Sequence, residues 1–163
     1  MNHEPEAGAR LAPGDFAEVI RLTPLVAIDM IVRAADGRVL LGRRKFEPAK
    51  GWFFVPGGRI TKNETLAAAF SRIARAELGV ELRLAQARFL GVYEHLYPTN
   101  HFEQAGFGTH YVVLAYELSS PVPPTGLPAD QHGEYAWQTE AELLRSPEVH
   151  ENTKAYFRRR PRT

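Results

Sequence analysis

The chain has 163 residues, 44% of them hydrophobic and 24% charged, with a formal net charge of +1 and no cysteine. That size and balance suit a single soluble domain with one sizeable core. The near-neutral charge supplies no field to draw in nucleic acid or a membrane surface, and the lack of cysteine excludes disulfides, zinc–thiolate sites and thiol nucleophiles. No apolar run is long enough to cross a bilayer. The opening Met1-Asn2-His3-Glu4-Pro5 lacks a basic start followed by an apolar stretch, so a cytoplasmic protein is expected.

In chain order, residues 1–12 read as a polar lead-in, 13–157 as one domain and 158–163 as a basic, solvated tail. Pro13-Gly14-Asp15 opens a short helix through Phe16, Val19 and Ile20, with Asp15 as its candidate cap. Thr23 to Val32 is dense in Leu, Val and Ile and predicts a buried strand. Asp36-Gly37 is a hairpin turn signal that leads into Arg38 to Arg44. Trp52-Phe53-Phe54-Val55, expected in the core, is a short strand stopped by Pro56-Gly57-Gly58. Thr65 to Leu78 predicts a helix ended by Gly79.

Glu81 to Tyr97 holds one or two strands, broken near Ala85–Arg88. Residues 98–108 are a polar, glycine-containing loop placed to close over a substrate, and Thr109 to Leu118 is a strand. Pro121 to Ala129 is loop, Glu134 to Gln138 a brief strand, Thr139 to Leu144 a helix behind a Thr-x-x-Glu capping box, and Val149 to Phe157 a last helix. Hairpins interspersed with helices predict a mixed α/β fold, a sheet covered by helices on both faces.

One residue is out of place in this pattern. On the 65–78 helix, Leu66, Ala69, Phe70, Ile73 and Ala76 follow the i, i+3, i+4, i+7 rule, and Glu77 falls within roughly 40° of Phe70 and Ile73 on the helical wheel. A carboxylate buried there without a partner costs several kcal/mol. Either it meets a lysine, an arginine or a bound cation, or it lies at the edge of the stripe and its side chain escapes to water. Gly57-Gly58, between a strand and this helix, can turn a backbone carbonyl inward at little steric cost.

Gly58, five residues, Glu64, seven residues, Arg72, then Ile73-Ala74-Arg75-Ala76-Glu77-Leu78-Gly79-Val80 resembles the Nudix box, G-x5-E-x7-R-E-U-x-E-E-x-G-U with U aliphatic. Ile73 and Ala76 stand where the box has glutamates. These departures are those of the GDP-mannose mannosyl hydrolase branch. The likeness extends to Thr23-Pro24-Leu25-Val26 with Asp29, Leu40 to Arg44, Trp52 to Arg59, Thr109 to Leu114, Asp130-Gln131-His132 and Val149 to Asn152.

The resemblance implies a Nudix-type α/β/α sandwich and one Mg2+ ion, with Mn2+ as a substitute. The Gly57 carbonyl, Glu77 and Gln131 match the metal ligands, and His132 matches the general base. Arg44 and Arg59 match the residues that grip a diphosphate, and Asp29, His95 and Tyr111 match further substrate-binding positions. Arg72 with Glu64 looks like a structural ion pair. The resemblance further implies attack of water at the anomeric carbon of GDP-mannose and a homodimer. Its alternatives are a Nudix pyrophosphohydrolase acting at phosphorus and a non-catalytic nucleotide-sugar binding module, motivated by the two missing glutamates.

Overall fold

A computed structural model describes residues 6–120, 126–130 and 132–158. Gln131, the loop residues 121–125 and most of the basic tail lie outside the described residues.

The fold is organised by β1 (Leu25–Ala34), whose near-continuous apolar run is that of a strand buried on both faces. It runs parallel to β6 (Thr109–Ser120) in an unbroken register from Leu25↔Tyr111 to Ala34↔Ser120. On its other edge it meets β2 (Val39–Arg44) at Arg33↔Val39 and β4 (Gly57–Arg59) at Ala27↔Arg59 to Asp29↔Gly57, both antiparallel. With β3 (Phe53–Phe54), β5 (Arg88–Tyr97) and β7 (His132–Gln138), the sheet is ordered β3-β2-β1-β6-β5, with β4 on β1 and β7 on β2. Gly37, at φ +85°, makes the predicted turn between β1 and β2.

The period-2 alternation of the strands sorts the core into two layers. Ile28, Met30, Val32 and Leu40 face α2 (Leu66–Leu78), where they meet Ala69, Phe70, Ile73, Ala74 and Leu78. Ile31, Val39, Leu41, Phe53, Val55 and Ala115 face the opposite way. There they meet Leu143 of α3 (Glu140–Arg145), together with Val149 and Tyr156, which flank α4 (Glu151–Lys154). This is the expected mixed sheet with helices on both faces.

Several local expectations need correction. Helix α1 (Pro13–Leu22) is preceded by Ala12, which makes no side-chain cap; Asp15 lies inside the first turn, where its charge favours the helix dipole. On α2 the buried stripe is Ala69, Phe70, Ile73, Ala74, Glu77 and Leu78, while Leu66 and Ala76 are exposed. Trp52 is 41% exposed rather than part of the core. Residues 81–83 form no strand and lead into a 3-10 turn, Leu84–Gln86. The last helix spans only four residues, because Val149 and His150 are drawn out along β3: Phe53 N donates to Glu148 O (2.9 Å) and His150 N to Phe53 O (3.2 Å).

The loop between β4 and α2 is held by one polar network. Arg72 donates from Nε to Glu64 Oε1 (2.6 Å) and from Nη2 to Glu64 Oε2 (2.8 Å) and to the Arg59 carbonyl (2.7 Å). Glu64 Oε2 also accepts from the Thr61 N–H and hydroxyl, both at 3.0 Å. Gly8 N in turn donates to Thr61 Oγ1 (2.8 Å). A charge-assisted fork of this kind is stronger than neutral hydrogen bonds. The Arg72 guanidinium holds the Glu64 carboxyl down near about 2, from an ordinary 4.5.

A carboxyl lowered on folding adds stability that is fully present above its ordinary value and is lost as pH falls from about 4.5 toward about 2. Screening at the half-exposed Arg72 limits that contribution to roughly 1–2 kcal/mol. Glu64→Gln is therefore expected to unfold more easily than the parent at pH 6, with the gap closing by pH 2. Denaturant melts across that range would show this; a gap independent of pH would contradict it.

Candidate active site

Each candidate side chain is placed by a local feature of the sheet. In the β1–β4 pair, Met30 N donates to Pro56 O (2.8 Å) and Ile60 N to Val26 O (2.9 Å). Antiparallel pairs alternate, so the carbonyls of Gly57 and Arg59 turn away from β1. That of Arg59 is taken by Arg72, and that of Gly57 is turned to the same side. A Cβ at position 57 would lie 2.2 Å from Asp29 Oδ1 and 2.7 Å from the Ile28 carbonyl, so the close approach of Asp29 requires glycine there.

His132 is placed by a bulge. Along β2 and β7 the register runs Val39↔Gln138 to Gly42↔Tyr135, then shifts to Arg44↔His132, so Arg43 faces both Gly133 and Glu134. The His132 ring lies on Gly42, where a Cβ would meet its Cγ and Cδ2 at 2.5 Å. Its Nδ1 is 3.5 Å from Glu77 Oε2 and 3.4 Å from the Tyr135 hydroxyl. Tyr135 spends its proton on the Pro128 carbonyl (2.6 Å), so both neighbours of Nδ1 accept. With the Glu77 carboxylate ionised, this favours the tautomer that carries the proton on Nδ1 and the lone pair on Nε2. Lys45 donates to the Ala129 carbonyl, a second tie on the residues leading to His132.

Burial governs the charge states. It pushes Glu77 up to about 7 against the pull of Arg44, with the Asp29 and Asp130 charges adding to the push. It pushes His132 down to about 4, helped by the Arg44 and Lys45 charges. The Glu77–His132 contact is therefore no ion pair at neutral pH, because the imidazole is uncharged. Asp29, raised to about 6 by burial, accepts a hydrogen bond from the Tyr156 hydroxyl at 2.6 Å. His95, lowered to about 4 by burial, lies 3.1 Å from that hydroxyl through Nε2.

Arg44 acts electrostatically on Asp29, Glu77, His95, His132 and Tyr111, so it stands among them. Its Nε is buried without a hydrogen-bond partner among the described residues, and its guanidinium lies 5.6 Å from the Phe54 ring centre. Arg59 stacks at 3.7 Å on Phe16 of α1 and couples to Tyr111. Tyr111 and His95 are opposite each other across β6 and β5. The structure thus gathers Asp29, Arg44, Gly57, Glu77, His95 and His132 at one end of the sheet, with Arg59 and Tyr111 beside them. Gln131 lies outside the described residues.

The family assignment follows from comparison with known proteins. A model of the NUDIX domain matches residues 23–160. The chain belongs to the Nudix family. The Low-salt glycan biosynthesis protein Agl8 of Haloferax volcanii is 38% identical over 118 residues, 72% of this chain and 73% of its own length. The ADP-ribose pyrophosphatase of Methanocaldococcus jannaschii is 39% identical over 72 residues, which is 44% of this chain and 41% of that protein. The crystal structure of the MutT protein of Methanosarcina mazei Go1 superposes with a TM-score of 0.66 over 83% of this chain and 92% of that one. At 18% identity it supports the fold.

Nudix hydrolases generally use a divalent metal such as Mg2+. Among the described residues no three His, Asp or Glu converge into a ready-made cage. What is present is Glu77, a buried carboxylate with no hydrogen bond to a cation among the described residues, the neighbouring buried Asp29, which is bonded to Tyr156, and the turned carbonyl of Gly57. That donor set fits a hard ion that keeps several waters and takes further oxygens from a substrate's phosphates. The two departures from the Nudix box also have a structural account. Ile73 packs its Cγ1 3.1 Å from where a Cβ of Gly58 would stand and seals the α2 layer, and Ala76 points to solvent.

Sequence reasoning missed Tyr156, which ties Asp29 to His95, and Tyr135 and Gly42, which set the His132 ring. Nothing in local periodicity marks them, since each acts across strands or from the far end of the chain. Gly42→Ala is expected to lower turnover by about 10²-fold, the scale for misplacing a catalytic group by ~1 Å, with an unchanged far-ultraviolet circular dichroism spectrum. Full activity in that variant would show that the ring can shift without consequence.

Proposed function

We propose that the chain hydrolyses a nucleotide-diphosphate sugar, GDP-mannose in the first instance, to nucleoside diphosphate and free sugar. Water attacks the anomeric carbon and His132 acts as general base. The observation that carries this reading is the buried His132 ring, with Nδ1 3.5 Å from Glu77 Oε2, in a site where Ile73 and Ala76 stand in place of two box glutamates. The relationship to a glycan biosynthesis protein supports a sugar-bearing substrate.

A base must be unprotonated at working pH and within reach of the water it activates. The lowered His132 meets the first condition, and its Nε2 lone pair gives the proton a destination. The proton leaves the attacking water for Nε2, the new C–O bond forms at the anomeric carbon, and the old C–O bond breaks with its electron pair on the diphosphate. A diphosphate leaves more readily than a sugar alkoxide, so no carboxylic acid is needed to protonate it, unlike in an ordinary glycosidase. Arg44 and Arg59 remain cationic and can fork onto its oxygens. The unpartnered Arg44 Nε fits that use. A magnesium ion held by the Gly57 carbonyl, Glu77 and Gln131 would supply further charge to the leaving diphosphate.

The second reading is cleavage at phosphorus, favoured by the relationship to an ADP-ribose pyrophosphatase. Turnover of GDP-mannose with magnesium in water enriched in oxygen-18 separates the two. Label in free mannose is expected; label in GMP or mannose 1-phosphate would establish the second reading instead. His132→Gln is expected to lose about 10²–10⁴-fold in turnover, the usual share of a general base, while still binding the nucleotide sugar. Loss of binding in equilibrium titration would make His132 a structural residue.

A further inference from the structure

Among the buried groups without a hydrogen-bond partner among the described residues are two amide or guanidinium donors, Arg44 Nε and Asn152 Nδ2. The reading above employs Arg44. It leaves Asn152 without a role, although a buried amide rarely goes unpaired.

Asn152 lies in α4, on the segment pinned to β3, and its backbone N–H is bonded to His150 Nδ1 at 3.1 Å. Its side-chain amide lies beside the Tyr97 phenol and pulls that hydroxyl's titration down against burial, but no hydrogen bond of good geometry joins the two. The two rings next to it, His150 and Tyr97, lie 5.5 Å apart and both pack on Phe54, at 4.9 and 6.4 Å. Phe54 also lies 5.6 Å from the Arg44 guanidinium. The same segment supplies Tyr156, whose hydroxyl bonds to Asp29 at 2.6 Å and meets His95 at 3.1 Å. A donor, a carboxylate acceptor and aromatic walls therefore adjoin the arginine assigned to the diphosphate.

A hexose or pentose presents this chemistry in mirror image. Its hydroxyls both donate and accept, its C–H faces suit aromatic rings, and in a nucleotide sugar it is bonded directly to the diphosphate. We propose that the segment 149–157 builds the glycosyl subsite, in which the Asn152 amide donates to one sugar hydroxyl and Tyr156, as a positioning residue, holds Asp29 to accept from another. This rests on the nucleotide-sugar reading and extends it to residues that determine sugar specificity. It is independent of which bond is cut.

The test compares ligands that differ only in the sugar. Calorimetric titration is done with GDP-mannose against GDP and with ADP-ribose against ADP, with calcium in place of magnesium so that the ligand is held unhydrolysed. For at least one pair, the parent is expected to bind the sugar-bearing ligand more tightly. Asn152→Leu is expected to weaken that ligand by about tenfold, the scale of one unmade hydrogen bond, and to leave its sugar-free partner unchanged. Tyr156→Phe, which keeps the ring, is expected to lose the same sugar-dependent increment. Should Asn152→Leu fail to fold, Asn152→Asp keeps the shape and removes the donor.

Equal weakening of both members of a pair, or no change in either, overturns the proposal. So does a parent that favours neither sugar-bearing ligand. Absence of GDP-mannose turnover alongside an Asn152-dependent preference for ADP-ribose overturns only the substrate reading and supports the subsite.

Discussion

The bidentate contact of Arg72 with Glu64 is the constraint on which the site depends. Four polar groups of a loop would otherwise have to be satisfied separately: the Glu64 carboxylate, the Thr61 N–H, the Thr61 hydroxyl and the Arg59 carbonyl. Arg72 sits on α2 one and a half turns before Glu77. By grasping both Glu64 and the Arg59 carbonyl, it fixes the strand carrying Gly57 against the helix carrying Glu77. The two oxygens best suited to a metal therefore owe their relation to an ion pair that touches neither. A forked guanidinium–carboxylate contact also resists rotation, as a single point charge would not.

The second organising feature is an imbalance of charge and burial. Asp29, Glu77, His95 and His132 are all buried, and burial pushes each toward its neutral form. Arg44 is the cation common to all four, yet its own Nε lacks a partner. A core selected for stability alone would hold apolar residues in these positions. An arginine left with an unpartnered Nε among buried ionisable groups is the arrangement that the proposed polyanionic ligand and its cation would complete. The β2–β7 bulge and the glycines at 42 and 57 serve the same end, since each lets a functional side chain approach the backbone more closely than any Cβ would permit.

Much of this was legible one element at a time. The hydrophobic run of β1, the turn at Gly37, the Thr65 and Gly79 ends of α2 and the Thr139–Glu142 capping box are local signals, and the structure bears each of them out. So was the anomaly of Glu77, because helical periodicity alone puts it beside Phe70 and Ile73. The stripe was misjudged where sheet contact, rather than periodicity, sets its centre: Leu66 and Ala76 are exposed, while Ala74 and Leu78 are buried in the core between helix and sheet. The last helix was read too long because the pairing of Val149 and His150 with β3 is a long-range contact that outweighs helix propensity.

The sequence by itself determined the element order, the Nudix box and the chemical inventory of the site, because these reside in spacing and side-chain type. Only the tertiary structure decided which groups face Nδ1 of His132, that Arg44 lies among four buried ionisable groups, and that Tyr156 reaches back 127 residues to Asp29. Those facts depend on strand register, on one bulge and on the return of the chain's end across the sheet. Register and return are set by the sum of many contacts distant in sequence, and no local pattern encodes that sum.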